Sequence, residues 1–118
     1  KEIARLYYSR LAHLNWLDLP TFPLENEHVW HIFSVLVENR ERLAKYLSEH
    51  GIETMYHYPL APHRQEAFSD FSITFPKSEY IHARTLSLPI GPTMTNLQVN
   101  YVCDKLLNYR NDNGRSLN

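Results

Sequence analysis

His28-Val29-Trp30-His31-Ile32-Phe33-Ser34-Val35-Leu36-Val37 is the stretch on which the fold turns. It is dense in aromatic and β-branched residues, and both alternating faces are largely apolar. That is the pattern of a central strand covered on both sides. A helix is expected next. Asn39 suits its N-cap, and Leu43, Tyr46 and Leu47 supply an apolar stripe. Gly51 suits the left-handed residue past a helix end. Residues 52–56 read as a short strand. His57-Tyr58-Pro59-Leu60-Ala61-Pro62-His63 then cannot be regular, because each proline holds the residue before it extended.

Working outward, Ile3, Leu6, Tyr7, Leu11 and Leu14 recur at helical spacing, and Pro20 and Pro23 end that pattern. Downstream, residues 64–69 suit a helical turn, and Pro76 suits the first turn of a helix over residues 76–84. Residues 85–88 look extended, and Gly91-Pro92 reads as a turn. Thr95 and Gln98 make a capping box before a helix whose buried face carries Val99, Val102 and Leu106, with Cys103 and Leu107 beside it. The fold class is α+β: a small, mainly antiparallel sheet with helices packed on it. Residues 111–118 are polar and expected to form a disordered tail. The chain starts with Lys1, inside a helical pattern, so it is expected to be a domain cut from a longer protein.

Composition narrows the function. The chain has 118 residues, one domain's worth, and 43% apolar residues can build a core without disulfides. Its net charge is −1, with acids and bases spread evenly, so it lacks the positive field that non-specific nucleic-acid binding needs. No apolar run is long enough to span a bilayer, and the charged, amphipathic start is unlike a signal peptide. The single cysteine, Cys103, cannot close an internal disulfide, which suits a reducing, cytoplasmic setting.

His57-Tyr58 is the leading candidate site. Imidazole and phenol together offer donors, acceptors and a ring face at the mouth of a proline-stiffened loop, which suits a polyhydroxylated ligand. The competing reading makes His57 a backbone cap and Tyr58 loop packing. His28 and His31, three apart in a strand, would point to opposite faces and could not chelate one metal together. His57 and His63 could converge across the loop, but nothing completes a metal site, and none is expected. Cys103 sits in an apolar stripe, so a structural role outweighs a nucleophilic one. With 3 glycines, no phosphate-cradling loop is present. The residues complete no catalytic machine on their own.

The ordered set Gly51-Ile52-Glu53-Thr54, His57-Tyr58-Pro59, His63-Arg64-Gln65-Glu66-Ala67-Phe68 and Leu86-Ser87-Leu88-Pro89-Ile90 resembles the C-terminal domain of the DegT/DnrJ/StrS sugar aminotransferases, over residues 1–110. The resemblance implies the small domain of the aspartate-aminotransferase fold, preceded in the same chain by a large domain. That large domain would hold pyridoxal phosphate (PLP) as a Schiff base on its own lysine. It further implies a homodimer that takes an amino group from glutamate and passes it to a nucleotide-linked keto sugar, with a dTDP-linked 3-keto-6-deoxyhexose closest in kind. By position, His57 and Tyr58 match residues that reach the hexose. His31 matches one on the active-site side of the central strand, and His63 matches a loop histidine. No catalytic residue is expected in this chain, which alone should bind no cofactor and not transaminate. Three positions depart from the pattern: Ala61 stands for a common proline, Leu36 for a common arginine and Ser34 for a common aliphatic residue. The alternative is a free-standing α+β ligand-binding module with no catalytic partner.

Overall fold

The computed structural model describes residues 1–23 and 27–112. The elements run α1 (Glu2–Leu11), β1 (Phe33–Leu36), α2 (Arg40–Glu49), two single 3₁₀ turns (Pro62–Arg64 and Glu66–Phe68), α3 (Pro76–Arg84), β2 (Thr85–Leu88) and α4 (Asn96–Asp112). This is the expected α+β architecture.

The sheet is two-stranded and antiparallel, pairing Phe33 with Leu88, Ser34 with Ser87, Val35 with Leu86 and Leu36 with Thr85. Single antiparallel bridges flank it, Asp18 to Leu36 on one edge and Met55 to Ser87 on the other. Alternation puts Phe33, Val35, Leu86 and Leu88 on one face, where all are buried. Ser34 and Ser87 share the opposite face.

The core lies on the apolar face. Helix α1 contributes Ala4, Tyr7 and Leu11, and α4 contributes Val99, Val102, Cys103 and Leu106. The two helices are tied at their rim by Arg10, which bonds Asn100 Oδ1 at 2.8 Å and Asp104 Oδ1 at 2.7 Å. The Tyr7 ring packs 4.9 Å from that of Phe33. Its hydroxyl donates to the Pro89 carbonyl at 2.7 Å, and burial raises its pKa far above the ordinary tyrosine value. Helix α2 closes the end of the core with Leu43, Tyr46 and Leu47.

The helix ends follow the expected local chemistry. Asn39 Oδ1 accepts from Arg42 N at 3.1 Å. Gly51, at φ 73°, reverses the chain after α2, and the Ile52 N–H reaches back to the Leu47 carbonyl at 2.9 Å. Thr95 and Gln98 form the reciprocal box, with Thr95 N to Gln98 Oε1 at 2.9 Å and Gln98 N to Thr95 Oγ1 at 3.3 Å.

Three expectations change. Residues 28–32 are not strand. The His28 ring accepts the Trp30 N–H at 2.8 Å, and Trp30 takes a left-handed φ of 54°. This local bond replaces the ladder, and the Trp30 ring folds inward against Phe33, 5.3 Å away. Residues 52–56 form no strand and pair with the sheet by the single Met55 bridge. Helix α4 continues through Asp112, two residues into the expected tail, whose remainder from 113 on lies outside the described residues.

Candidate functional site

The Met55 bridge decides where His57 stands. Met55 and Ser87 exchange both backbone bonds, at 3.2 and 2.8 Å, which fixes residue 55 against the edge of β2. Two residues on, the His57 ring turns back over that strand, and its Nδ1 lies 2.8 Å from Ser87 Oγ. Ser87 Oγ in turn lies 2.8 Å from Ser34 Oγ, its cross-strand partner. The half-buried His57 is thus held from behind by the Ser87 hydroxyl, which the Ser34 hydroxyl holds in turn. Among the described residues no protein group bonds its Nε2.

Beyond His57 the chain is pinned by its carbonyls. The His57–Tyr58 peptide is cis. His82 Nδ1 meets the Tyr58 carbonyl at 2.7 Å. The Arg40 guanidinium reaches the carbonyls of Pro59 at 3.3 Å, Thr85 at 3.4 Å and His82. It also lies 4.5 Å over the Tyr56 ring. Arg40 is only 8% exposed. It sits in the first turn of α2, where the helix dipole disfavours a cation, and it points to the C-terminal end of α3, where the dipole favours one. The Tyr58 side chain, in contrast, is 64% exposed.

His57 and the exposed His31 share the wall of one open cleft of about 1210 Å³, together with Ser87, Glu53, Gln98 and Tyr101. Tyr58 and His63 lie outside that wall. His63 Nε2 meets Glu79 Oε1 at 2.8 Å, and Arg64 holds the same oxygen at 3.0 Å. The bond from His63, reinforced by Arg64, holds the Glu79 carboxyl below its ordinary value. The His63 ring stands edge-on to Phe75, 4.9 Å away. His63 is therefore spent joining the loop to α3. Among the described residues no cluster of three potential ligands could hold a metal ion, and no helix is long and apolar enough to cross a membrane.

Sequence reasoning gave no role at the site to Arg40, Ser34, Ser87 or His82. Two signals were available: a cation in a helix's first turn, and a serine in the middle of each short apolar strand, Phe33-Ser34-Val35 and Leu86-Ser87-Leu88.

Residues 1–107 match the DegT/DnrJ/EryC1/StrS aminotransferase family. The dTDP-3-amino-3,6-dideoxy-alpha-D-galactopyranose transaminase of Aneurinibacillus thermoaerophilus is 40% identical over 110 residues, 92% of this chain and 30% of that protein. The crystal structure of Streptomyces venezuelae DesV in complex with a ketimine intermediate superposes with a TM-score of 0.86 at 33% identity, covering 92% of this chain and 30% of DesV. NtdA from Bacillus subtilis, with bound cofactor PMP, matches with a TM-score of 0.77 at 28% identity, covering 90% of this chain and 26% of NtdA. The chain thus spans about 30% of the length of the relatives it matches.

Proposed function

The chain belongs to the DegT/DnrJ/EryC1/StrS aminotransferase family, and on that premise we propose that residues 1–110 are the small C-terminal domain of a PLP-dependent sugar aminotransferase. The whole enzyme moves an amino group from glutamate to a keto sugar carried on a nucleotide. The substrate class is a dTDP-linked 3-keto-6-deoxyhexose, a reading supported by the name of the relative at 40% identity. The active unit is a cytoplasmic homodimer.

The cofactor's covalent anchor must be a buried lysine with a lowered pKa. Lys1, Lys45 and Lys77 are exposed, and the Lys105 ammonium lies 5.2 Å over the Tyr101 ring. None lines the cleft. The lysines of this chain do not fit that role, so the anchor belongs to a large domain elsewhere in the same polypeptide. This chain alone is inactive.

What it supplies is grip on the sugar. The observation that carries this reading is the His57 ring, braced by Ser87 in the cleft wall with Nε2 left for a ligand. Tyr58, next in sequence and largely exposed, offers a phenol that a ligand can cover. His31 adds a second imidazole to the same wall. His63 serves the sugar through the loop it anchors to α3. Together they hold the keto carbon where the chemistry occurs, a proximity effect. In the full-length enzyme, His57→Ala and Tyr58→Phe should each slow the sugar half-reaction by about 3–10-fold, the worth of one neutral hydrogen bond. The glutamate half-reaction should be spared. Equal losses in both halves would refute the sugar-contact role.

A further inference from the structure

Ser34, Ser87 and His57 form an unbranched line of three polar groups, with successive separations of 2.8 and 2.8 Å. Two hydroxyl protons must be placed along it, and only one direction places both inside the protein. If Ser34 donates to Ser87, then Ser87 donates to His57 Nδ1, and every proton has an acceptor. If His57 Nδ1–H donates to Ser87, one hydroxyl proton is left over: that of Ser34 where Ser87 donates to it, or that of Ser87, which has no further acceptor among the described residues, where it accepts from both. Among the described residues no other acceptor bonds the Ser34 hydroxyl. Ser87 is buried and Ser34 is half-buried, so the leftover proton would depend on whatever water reaches it.

We propose that Ser34 and Ser87 are positioning residues that hold the neutral His57 ring as its Nε2–H tautomer, so that it presents a hydrogen-bond donor to the cleft. The atom it meets on the ligand is an oxygen acceptor, such as the keto oxygen of the sugar, and not a hydroxyl proton. Both parts follow from the line of hydroxyls, and the second part rests on the reading of His57 as a sugar contact. Ser34 carries the bias. Without Ser34, the Ser87 hydroxyl is free either to donate to Nδ1 or to accept from it, and the preference is lost.

Long-range ¹H–¹⁵N spectra of His57 in the chain, recorded with the imidazole neutral, read the tautomer directly. The wild type should be dominated by Nε2–H. In Ser34→Val, the ratio of Nε2–H to Nδ1–H should fall about fivefold, the factor one neutral hydrogen bond sets on an equilibrium. Valine suits a strand, so the fold should survive the change. Ser34→Thr keeps the hydroxyl and should restore the ratio. Ser87→Ala should lose the bias as well, and the Ser34 pair carries the test should that buried change unfold the chain. A wild-type ring dominated by Nδ1–H, or a ratio unchanged in Ser34→Val, overturns the relay. In the full-length enzyme the same Ser34→Val change should raise KM for the nucleotide sugar several-fold and leave KM for glutamate alone. A tautomer shift with an unchanged sugar KM supports the relay and refutes the sugar contact, so the two ideas fail separately.

Discussion

Replacing Arg40 with methionine tests whether the loop that carries His57 and Tyr58 is held by one buried cation. Methionine keeps the apolar stem and removes the fork. The two bonds to Pro59 and Thr85, at 3.3 and 3.4 Å, lie near the geometric limit and contribute little. The bond to the His82 carbonyl is charge-assisted and worth about 1.5–3 kcal/mol. The stack on Tyr56 adds about 0.5–2 kcal/mol. Desolvating a guanidinium that is 8% exposed offsets part of this gain. The net loss expected is about 2–3 kcal/mol, at the upper end of ordinary single-site effects. Urea unfolding followed by tryptophan fluorescence should show the midpoint falling by about 1 M, given a slope of about 1–3 kcal/mol/M. Amide exchange should quicken most at residues 57–60. Arg40→Lys should recover less than half of the loss, because an ammonium cannot reproduce the planar fork. Glu41→Gln, which removes only the exposed partner of Arg40, should cost no more than about 1 kcal/mol. A midpoint for Arg40→Met within about 0.2 M of wild type, the scale of a plain surface change, would refute the clamp.

Cys103 should resist an aromatic disulfide reagent at pH 8 in the folded chain and react at once in urea, because burial pushes its thiol up to about 11. The raised value favours the protonated thiol in the folded state, so its contribution is full below pH 9 and should fade as pH rises toward 11; stability measured across that window should fall less steeply in Cys103→Ala. Glu79 gives the opposite sign. Its carboxyl is held below 4.5 by His63, with help from Arg64, so its contribution is present above pH 4.5 and is lost as pH falls through the lower folded value. Ring-proton shifts of Phe75, which stands edge-on to His63, should therefore move on acidification below pH 4.5 in the wild type and stay flat there in Glu79→Gln.

The parts of this fold that were legible in the sequence are those fixed by short-range chemistry. The Asn39 cap, the Gly51 reversal and the Thr95–Gln98 box each involve residues within a few positions of one another, so α2 and the start of α4 could be read from types and spacing. The segment 28–32 could not. Its aromatic and β-branched content reads as strand, yet that content serves a ring, Trp30, that folds into the core across Phe33 and Phe22. Propensity measures how well a side chain packs on a half-buried surface, and such packing is available without a ladder. The candidate site divides in the same way. His57-Tyr58-Pro59 was visible as a stiff loop with chemistry on it. The partners of Arg40 and His82 were not, since each acts by bonding carbonyls far away in sequence, and a carbonyl leaves no trace in residue type.

Ser34 and Ser87 connect the site to the stability of the whole domain. They face each other because Phe33 pairs with Leu88 and Val35 with Leu86, and those four side chains are buried. Burying residues of this kind is worth about 1.5–3 kcal/mol each. A slip of one position in either strand would send a serine into the core and put apolar side chains behind His57. The apolar face therefore dictates the register, and the register dictates which hydroxyls stand at the imidazole. The position of the ring is thereby set through the pairing that the core dictates. It follows that enlarging or shrinking Val35 or Leu86 should disturb His57 only when it shifts the pairing of β1 with β2, whereas Ser34→Val disturbs it with the register intact.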